Sequence, residues 1–269
     1  MRGRVRLWLS GTVLAVLAFA ALTATVWTPH AVDGVAISQR FAAPSATFPM
    51  GTDQYGRDVL SMLMAGARTS LGVAVAAIAI GVSFGAALGL MAAAAGGVLN
   101  AAIMRFSDLV FAFPALIIAV ILATAFGPGA FGAVIAIGIF NIPVFARLTA
   151  ASARPLFARD FADAARLAGK SEARIALEHV APNIAPVILT QSATQLAVAI
   201  LAEASLSYVG LGAQPPVVSW GRMLAEAQTL VALAPQLAIW PGLAIAISVF
   251  AVTTFGEALR VRLDPQAGR

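Results

Sequence analysis

Glu203 sits within an otherwise apolar run, Ile200-Leu-Ala-Glu-Ala-Ser-Leu-Ser207, and it is a costly residue to place there. A charged group at the centre of a membrane-spanning helix costs about 2.5–3.5 kcal/mol on insertion scales, so Glu203 must face protein or a watery cavity. Two roles fit. It lies along a substrate path, where it would meet an ammonium group, or it is a buried structural hydrogen-bonding group. Ser205 and Ser207 flank it, either on the same path or as interhelical hydrogen-bonding groups. Other constellations carry less chemistry. Ala164-Ala-Arg-Leu-Ala-Gly-Lys-Ser171 is one substitution from a phosphate-binding loop, but the residues before it read as a capped helix and not as a strand. Gly127-Pro-Gly-Ala-Phe-Gly132 fits GxGxxG formally, without strand or acidic partner, and reads as a turn. His30 and His179 stand apart, no HExxH occurs, and cysteine is absent. The sequence therefore predicts no catalytic residues, no metal and no cofactor.

The elements that position these residues must be membrane helices. Of 269 residues, 60% are hydrophobic and 11% charged, with a mean hydropathy of +0.91. A soluble domain of this length carries roughly a quarter charged residues, and a body this small cannot hide so much apolar surface. A span needs about 20 apolar residues. Six are predicted: a first within 1–28, then 69–93, 106–126, 130–148, 184–206 and 237–256, giving an all-α integral membrane protein. The first, Leu7 to Trp27 behind Arg2, Arg4 and Arg6, also has the shape of a secretory signal, but its length favours a retained anchor. Gly96-Gly97 and Gly127-Pro-Gly129 divide the uncharged runs between spans.

A net charge of +5 and a pI near 10.9 do not indicate nucleic acid, because the charges fall in short gaps between apolar runs. With the N-terminus inside, thirteen of the 17 Lys and Arg fall in inner segments and only Arg40, Arg57, Arg68 and Arg222 in outer ones. The positive-inside rule then predicts cytoplasmic termini and a cytoplasmic segment from Arg147 to His179. Within it, 160–182 reads as two short helices. Asp160 caps the first, Gly169 ends it in the left-handed region, and Ser171 caps the second, whose Ile175, Ala176 and Val180 return to the membrane. Alanines 162, 164, 165 and 168 form a small-residue ridge that another protein's groove could receive, unless the segment is only a basic loop that sets topology. Asp53, Arg57 and Asp58 either cap and anchor a short outer-surface helix or contact a docked protein.

Asp163-Ala164-Ala165 with Gly169 and a terminal Pro182 resembles the EAA signature of bacterial ABC import permeases, with Asp163 where Glu is usual. Gly51-Thr-Asp-Gln-Tyr-Gly-Arg-Asp58, Arg105 through Pro114, Ile200 through Pro216 with Ser219-Trp220-Gly221, and Leu259 through Pro265 are similar to segments of the dipeptide/oligopeptide/nickel branch. The resemblance implies a C-type permease of the type I importer fold in the inner membrane. Its regions would be an anchor at 1–28, an outer loop at 29–66, a permease domain at 67–256 and a tail at 257–269. The segment 154–182, with Asp163, Ala164, Ala165, Gly169, Lys170 and Pro182, would be the coupling element. Implied partners are a homologous B-type permease, two ATPase subunits and an extracytoplasmic binding protein, with membrane lipid around them. The implied cargo is a di- or oligopeptide, with nickel complexes, opines or another small polar solute as alternatives on the same scaffold. ATP would be hydrolysed by the partners. An ion-coupled secondary transporter is the rival from another class; such proteins usually carry several midplane ionisable groups and internal repeats.

Overall fold

The computed structural model describes residues 2–263, so Asp264, Pro265 and Arg269 lie outside the described residues. All regular structure among them is helical, apart from one isolated bridge between Thr52 and Asp58. Five helices are long and apolar enough to cross a membrane, and a bent pair makes a sixth crossing if it is counted as one.

The outermost helix by sequence, α1 (Arg2–Thr23), packs against α10 (Gln236–Leu263) and α2 (Val59–Ala95). The largest interface joins α2 to α5 (Ala130–Phe157). Three glycines one turn apart make it possible: a Cβ at Gly81 would lie 2.5 Å from that of Asn141, one at Gly85 2.5 Å from the Ile142 carbonyl, and one at Gly89 2.5 Å from the Ala146 carbonyl. The contacts advance together along both chains, so α2 and α5 are parallel. In lipid there is little hydrophobic drive between helices, and association rests on such close backbone approach. Phe145, Ile137 and Ala74 fill the adjoining core.

Several boundaries differ from those the sequence predicts. The helix that contains the second predicted span, 69–93, begins already at Val59, because Asp58 caps it: its carboxylate accepts from the Ser61 amide at 3.1 Å and hydroxyl at 2.6 Å. The run expected at 106–126 is two helices, α3 (Gly97–Ala112) and α4 (Ala115–Phe126), meeting at 82°. Pro114 supplies no amide, and Phe113 before it is extended, which ends α3 there. Arg147 pairs with Asp108 and lies over the Phe111 ring at 4.9 Å, pinning α3 to α5. The fourth span was expected to end near 148, with the coupling segment starting at 154; instead α5 runs on to Phe157. Its last turns are held by Ala153 and Phe157, buried with Ala93 at the end of α2.

After α5 come α6 (Asp160–Leu167) and α7 (Glu172–Ile175), and a π turn at Ala176–Val180 leads into α8 (Ala181–Tyr208). The short α9 (Trp220–Ala227) then pins the end of the bundle away from α6 and α7. The Trp220 indole donates to the Leu63 carbonyl at 3.0 Å and its amide to the Ser70 hydroxyl at 3.1 Å. Gly66 gives the ring room, since a Cβ there would lie 2.8 Å from it.

Candidate functional site

The expected knob between the fourth and fifth predicted spans is present between α5 and α8, and its ends are built as the sequence predicts, with one exception. Arg159, not Asp160, occupies the cap of α6; Asp160 is its first helical residue, where with Asp163 it still faces the exposed amides. Gly169 adopts φ +80°. Its amide donates to the Arg166 carbonyl at 2.9 Å and that of Lys170 to Ala165 at 3.1 Å, the pair of bonds that defines a Schellman ending. Ser171 caps α7, accepting from the Arg174 amide at 3.3 Å. Ile175, Ala176 and Val180 are buried against Phe157 and Ala153, so the knob rests on the ends of α5 and α2.

The alanine ridge is divided. Ala162 and Ala165 turn inward to that cluster, while Ala164, Ala168 and Gly169 stay exposed. The reason is helical period: 162 and 165 share the face that carries α6 onto the bundle. Outward, Leu167 is 90% exposed and Leu177 69%. Pro182 stands exposed in the first turn of α8.

Asp163 and Lys170, singled out from the sequence, join Arg166, Glu172, Arg174 and Glu178, which were not, in clasping the knob. The Arg166 guanidinium donates to Asp163 at 2.7 Å, to both oxygens of Glu172 at 2.6 and 3.1 Å, and to the Phe157 carbonyl at 3.3 Å. Glu172 and then Asp163 hold Arg166 well above its ordinary pKa. Lys170 reaches across to Glu178 at 2.6 Å and to His179 Nε2 at 3.0 Å, and Arg174 donates to the other oxygen of Glu178 at 2.6 Å. The spacings Asp163/Arg166 and Arg174/Glu178 were the available signals. Arg166 to Glu172 crosses the turn and has no periodic signature. The loop that resembled a phosphate cradle is therefore closed on itself by helix, Schellman turn and ion pairs.

The trio around Glu203 separates. Glu203 is 1% exposed, and one of its oxygens accepts from the Ser207 hydroxyl at 2.7 Å while the other has no partner among the described residues. Ser207 also accepts from the Ala213 amide at 3.0 Å, tying the end of α8 to the loop after it. Ser205 points the other way, exposed, and donates to the Leu201 carbonyl at 2.8 Å. The interhelical bonds expected of these serines are replaced by bonds within α8 and to its own C-terminal loop.

At the opposite end of the α2–α5 pair lies a second charged cluster, a cap over the start of α2. Asp53 is buried and accepts from the Tyr55 and Arg57 amides, both at 2.8 Å, and from the Arg57 guanidinium at 2.6 Å. Arg57 extends to Glu226 of α9 at 2.7 Å. Burial lowers the Arg57 pKa, but the Glu226 hydrogen bond and the Asp53 charge outweigh it and leave the pKa raised. Asp58 caps α2 itself, not a separate short helix as expected, and His30 Nδ1 approaches it at 3.3 Å. Gly127-Pro-Gly129 is a turn between α4 and α5, with Gly127 at φ +82°. Among the described residues no group of three or more His, Cys, Asp or Glu is placed to hold a metal.

Comparison with known proteins places this arrangement. The pattern of the family described as "binding-protein-dependent transport system inner membrane component" matches residues 85–269, which include the knob. A glutathione transport system permease protein GsiD of Pectobacterium atrosepticum is 37% identical over 223 residues, 83% of this chain and 74% of the relative. A di/tripeptide transport system permease protein DppC of Pseudomonas aeruginosa is 39% identical over 221 residues, 82% and 73% of the two chains. A nickel transport system permease protein NikC of Escherichia coli is 34% identical over 253 residues, 94% and 91%. With its all-helical, multi-pass architecture, the chain belongs to the binding-protein-dependent transport system inner membrane component family, as a permease subunit of an ABC importer with the type I permease fold.

Proposed function

We propose that this chain forms half of the translocation pathway of an ATP-driven importer of di- or oligopeptides, and that the α6–α7 knob is where a separate ATPase subunit grips it. The observation that carries the reading is the knob's construction. It is preformed by its own ion pairs and Schellman turn, rooted on the ends of α2 and α5, and it presents Leu167 and Leu177 outward where a soluble surface would bury them. Asp163, Ala164, Gly169 and Lys170 shape its exposed side, Ala165 its inner one, and Pro182 starts the helix it pulls on. On this reading the knob and both termini are cytoplasmic, and a homologous second permease, two ATPases and an extracytoplasmic binding protein complete the assembly. Asp53, Arg57 and Asp58 hold the outer surface in shape for the docked binding protein, and Glu203 with Ser207 secures the outer end of α8.

Alternating access then follows from linkage. ATP binding brings the ATPases together, and the knob transmits that closure only if the inward and outward states differ in contact energy with the ATPase pair. Peptide cargo is supported by relatives named for glutathione, itself a tripeptide, and for di/tripeptides. Import of a nickel complex is the second reading, supported by the nickel permease that matches over 94% of this chain.

The reading is tested with the complete importer in vesicles. Uptake should require ATP and survive collapse of the proton gradient. Asp163→Arg, which repels Arg166, and Gly169→Pro, which cannot adopt φ +80°, should leave the protein in the membrane with ATPase activity no longer linked to uptake. Normal transport by both variants would remove the knob from its assigned role, and uptake driven by the proton gradient alone would replace the importer by a secondary transporter.

A further inference from the structure

We propose that the outward face of α8 from Asn183 to Thr194, with Arg260 of α10, is the water-lined part of the cargo path, and that it favours cargo rich in carbonyl and carboxylate groups over a bare metal cation; this rests on the reading of the chain as half of a pathway. The segment Thr190-Gln-Ser-Ala-Thr-Gln195 puts polar side chains into the middle of a helix long and apolar enough to span a bilayer. Asn183, Thr190, Gln191 and Thr194 share one face by helical period, and that face lines a groove of about 570 Å³ together with Arg260 and Leu263.

The hydrogen bonds show which environment this face requires. Thr190 donates to the Pro186 carbonyl at 2.8 Å and Thr194 to that of Thr190 at 3.4 Å, so both hydroxyl protons are satisfied within the helix. The Asn183 amide donates to the His179 carbonyl at 2.6 Å. Hydroxyls bonded in this way tolerate lipid, whereas the Gln191 amide, half-exposed on the groove and without a hydrogen-bond partner among the described residues, does not. A second groove of similar size, about 590 Å³ between α1 and α10, is lined mainly by apolar residues such as Leu9, Val13, Ile247 and Phe250, with Arg6, Ser10, Thr254 and Glu257 as its polar members. The α8 face needs water or a polar solute.

Its chemistry also selects. The donors the lining offers to cargo are the Gln191 amide and the permanently charged Arg260 guanidinium, which bonds a carboxylate with charge assistance. Among the described residues its lining includes no carboxylate, imidazole or thiolate, the groups a divalent metal would seek. Glu203, the one acid in α8, is buried elsewhere.

Because the chain has no cysteine, single cysteines test this directly in the assembled importer in membranes. Gln191→Cys and Thr194→Cys are compared with Leu189→Cys, which is exposed but about 200° around the helix from Gln191. The probes are methanethiosulfonates carrying a sulfonate or a trimethylammonium group, and only variants with parental membrane abundance are scored. Because the thiolate reacts and forms in water, positions 191 and 194 should be modified at least about tenfold faster than 189. The sulfonate reagent should outrun the cationic one at 191, a preference that Arg260→Gln removes. Trialanine should slow the reaction and nickel ion should not. Equal, slow modification of all three positions, with and without ATP, would show the face covered by lipid or another subunit and overturn the proposal. A preference for the cationic reagent, or protection by nickel but not trialanine, would overturn the selectivity it assigns. Uptake without ATP would sink the importer reading while leaving these labelling rates intact, so the two failures are distinguishable.

Discussion

The two charged regions at opposite ends of the α2–α5 pair use the same residue types for opposite purposes. In the cap at the far end from the knob, Asp53, Arg57 and Glu226 are largely withdrawn from water; Asp53 closes its own loop, and Arg57 carries that loop across the fold to Glu226. In the knob, Arg166, Glu172, Lys170 and Glu178 remain accessible, and their bonds close a short segment on itself. Buried pairs fix how the bundle is assembled, and removing one partner is expensive because the other is stranded. Exposed pairs add little stability, but as a network they hold a shape ready for a partner. The apolar residues agree: Trp220 is sealed inside the cap, whereas Leu167 projects from the knob. Charge content alone does not distinguish an anchor from a docking element; where the bonds lead does.

The comparison can be broken at graded strengths. Both regions depend on the helix pair between them, so the largest loss is expected at its closest approach. Gly85→Leu must displace the Ile142 carbonyl and the Phe145 side chain, and should lower stability by about 3 kcal/mol, read as thermal unfolding in detergent. Arg57→Ala should cost about 2 kcal/mol, less than a fully buried pair because the site is partly open. Ser207→Ala, which leaves Glu203 and the Ala213 amide without their shared partner, should cost about 1–2 kcal/mol, while Glu203→Gln should leave uptake unchanged. Arg166→Ala should shift stability by less than about 1 kcal/mol, yet weaken the link between ATP hydrolysis and uptake. If Arg166→Ala destabilised the protein more than Arg57→Ala, the assignment of anchor and docking element would be reversed.

How much of this was legible in the sequence depends on range. The knob's punctuation at Gly169 and Ser171, the break at Gly96-Gly97 and the turn at Gly127 are local, and each follows from backbone rules acting over a few residues. The helix lengths were misjudged where tertiary packing extends them, as at Phe157, or where a cap starts a helix early, as at Asp58. The bend at Pro114 was available from the residue before proline, but the surrounding apolar run hid it. Gly81, Gly85 and Gly89 carried a small-residue spacing that signals close packing. Arg57 with Glu226, and Arg166 with Glu172, could not be paired by period, because one contact spans the fold and the other crosses a turn. Glu203 drew attention as an anomaly and proved buried; the polar run from Thr190 to Gln195 was the quieter signal.

The central claim is that the knob lies on the cytoplasmic side, seated in an ATPase subunit. A single cysteine in place of Leu167 tests it most directly, since that side chain is almost fully exposed and no other thiol is present. A membrane-impermeant maleimide should label it in inside-out vesicles but not in intact cells, and adding the ATPase subunits should protect it. Labelling from outside intact cells, or labelling from inside that the ATPase subunits do not slow, would contradict the account.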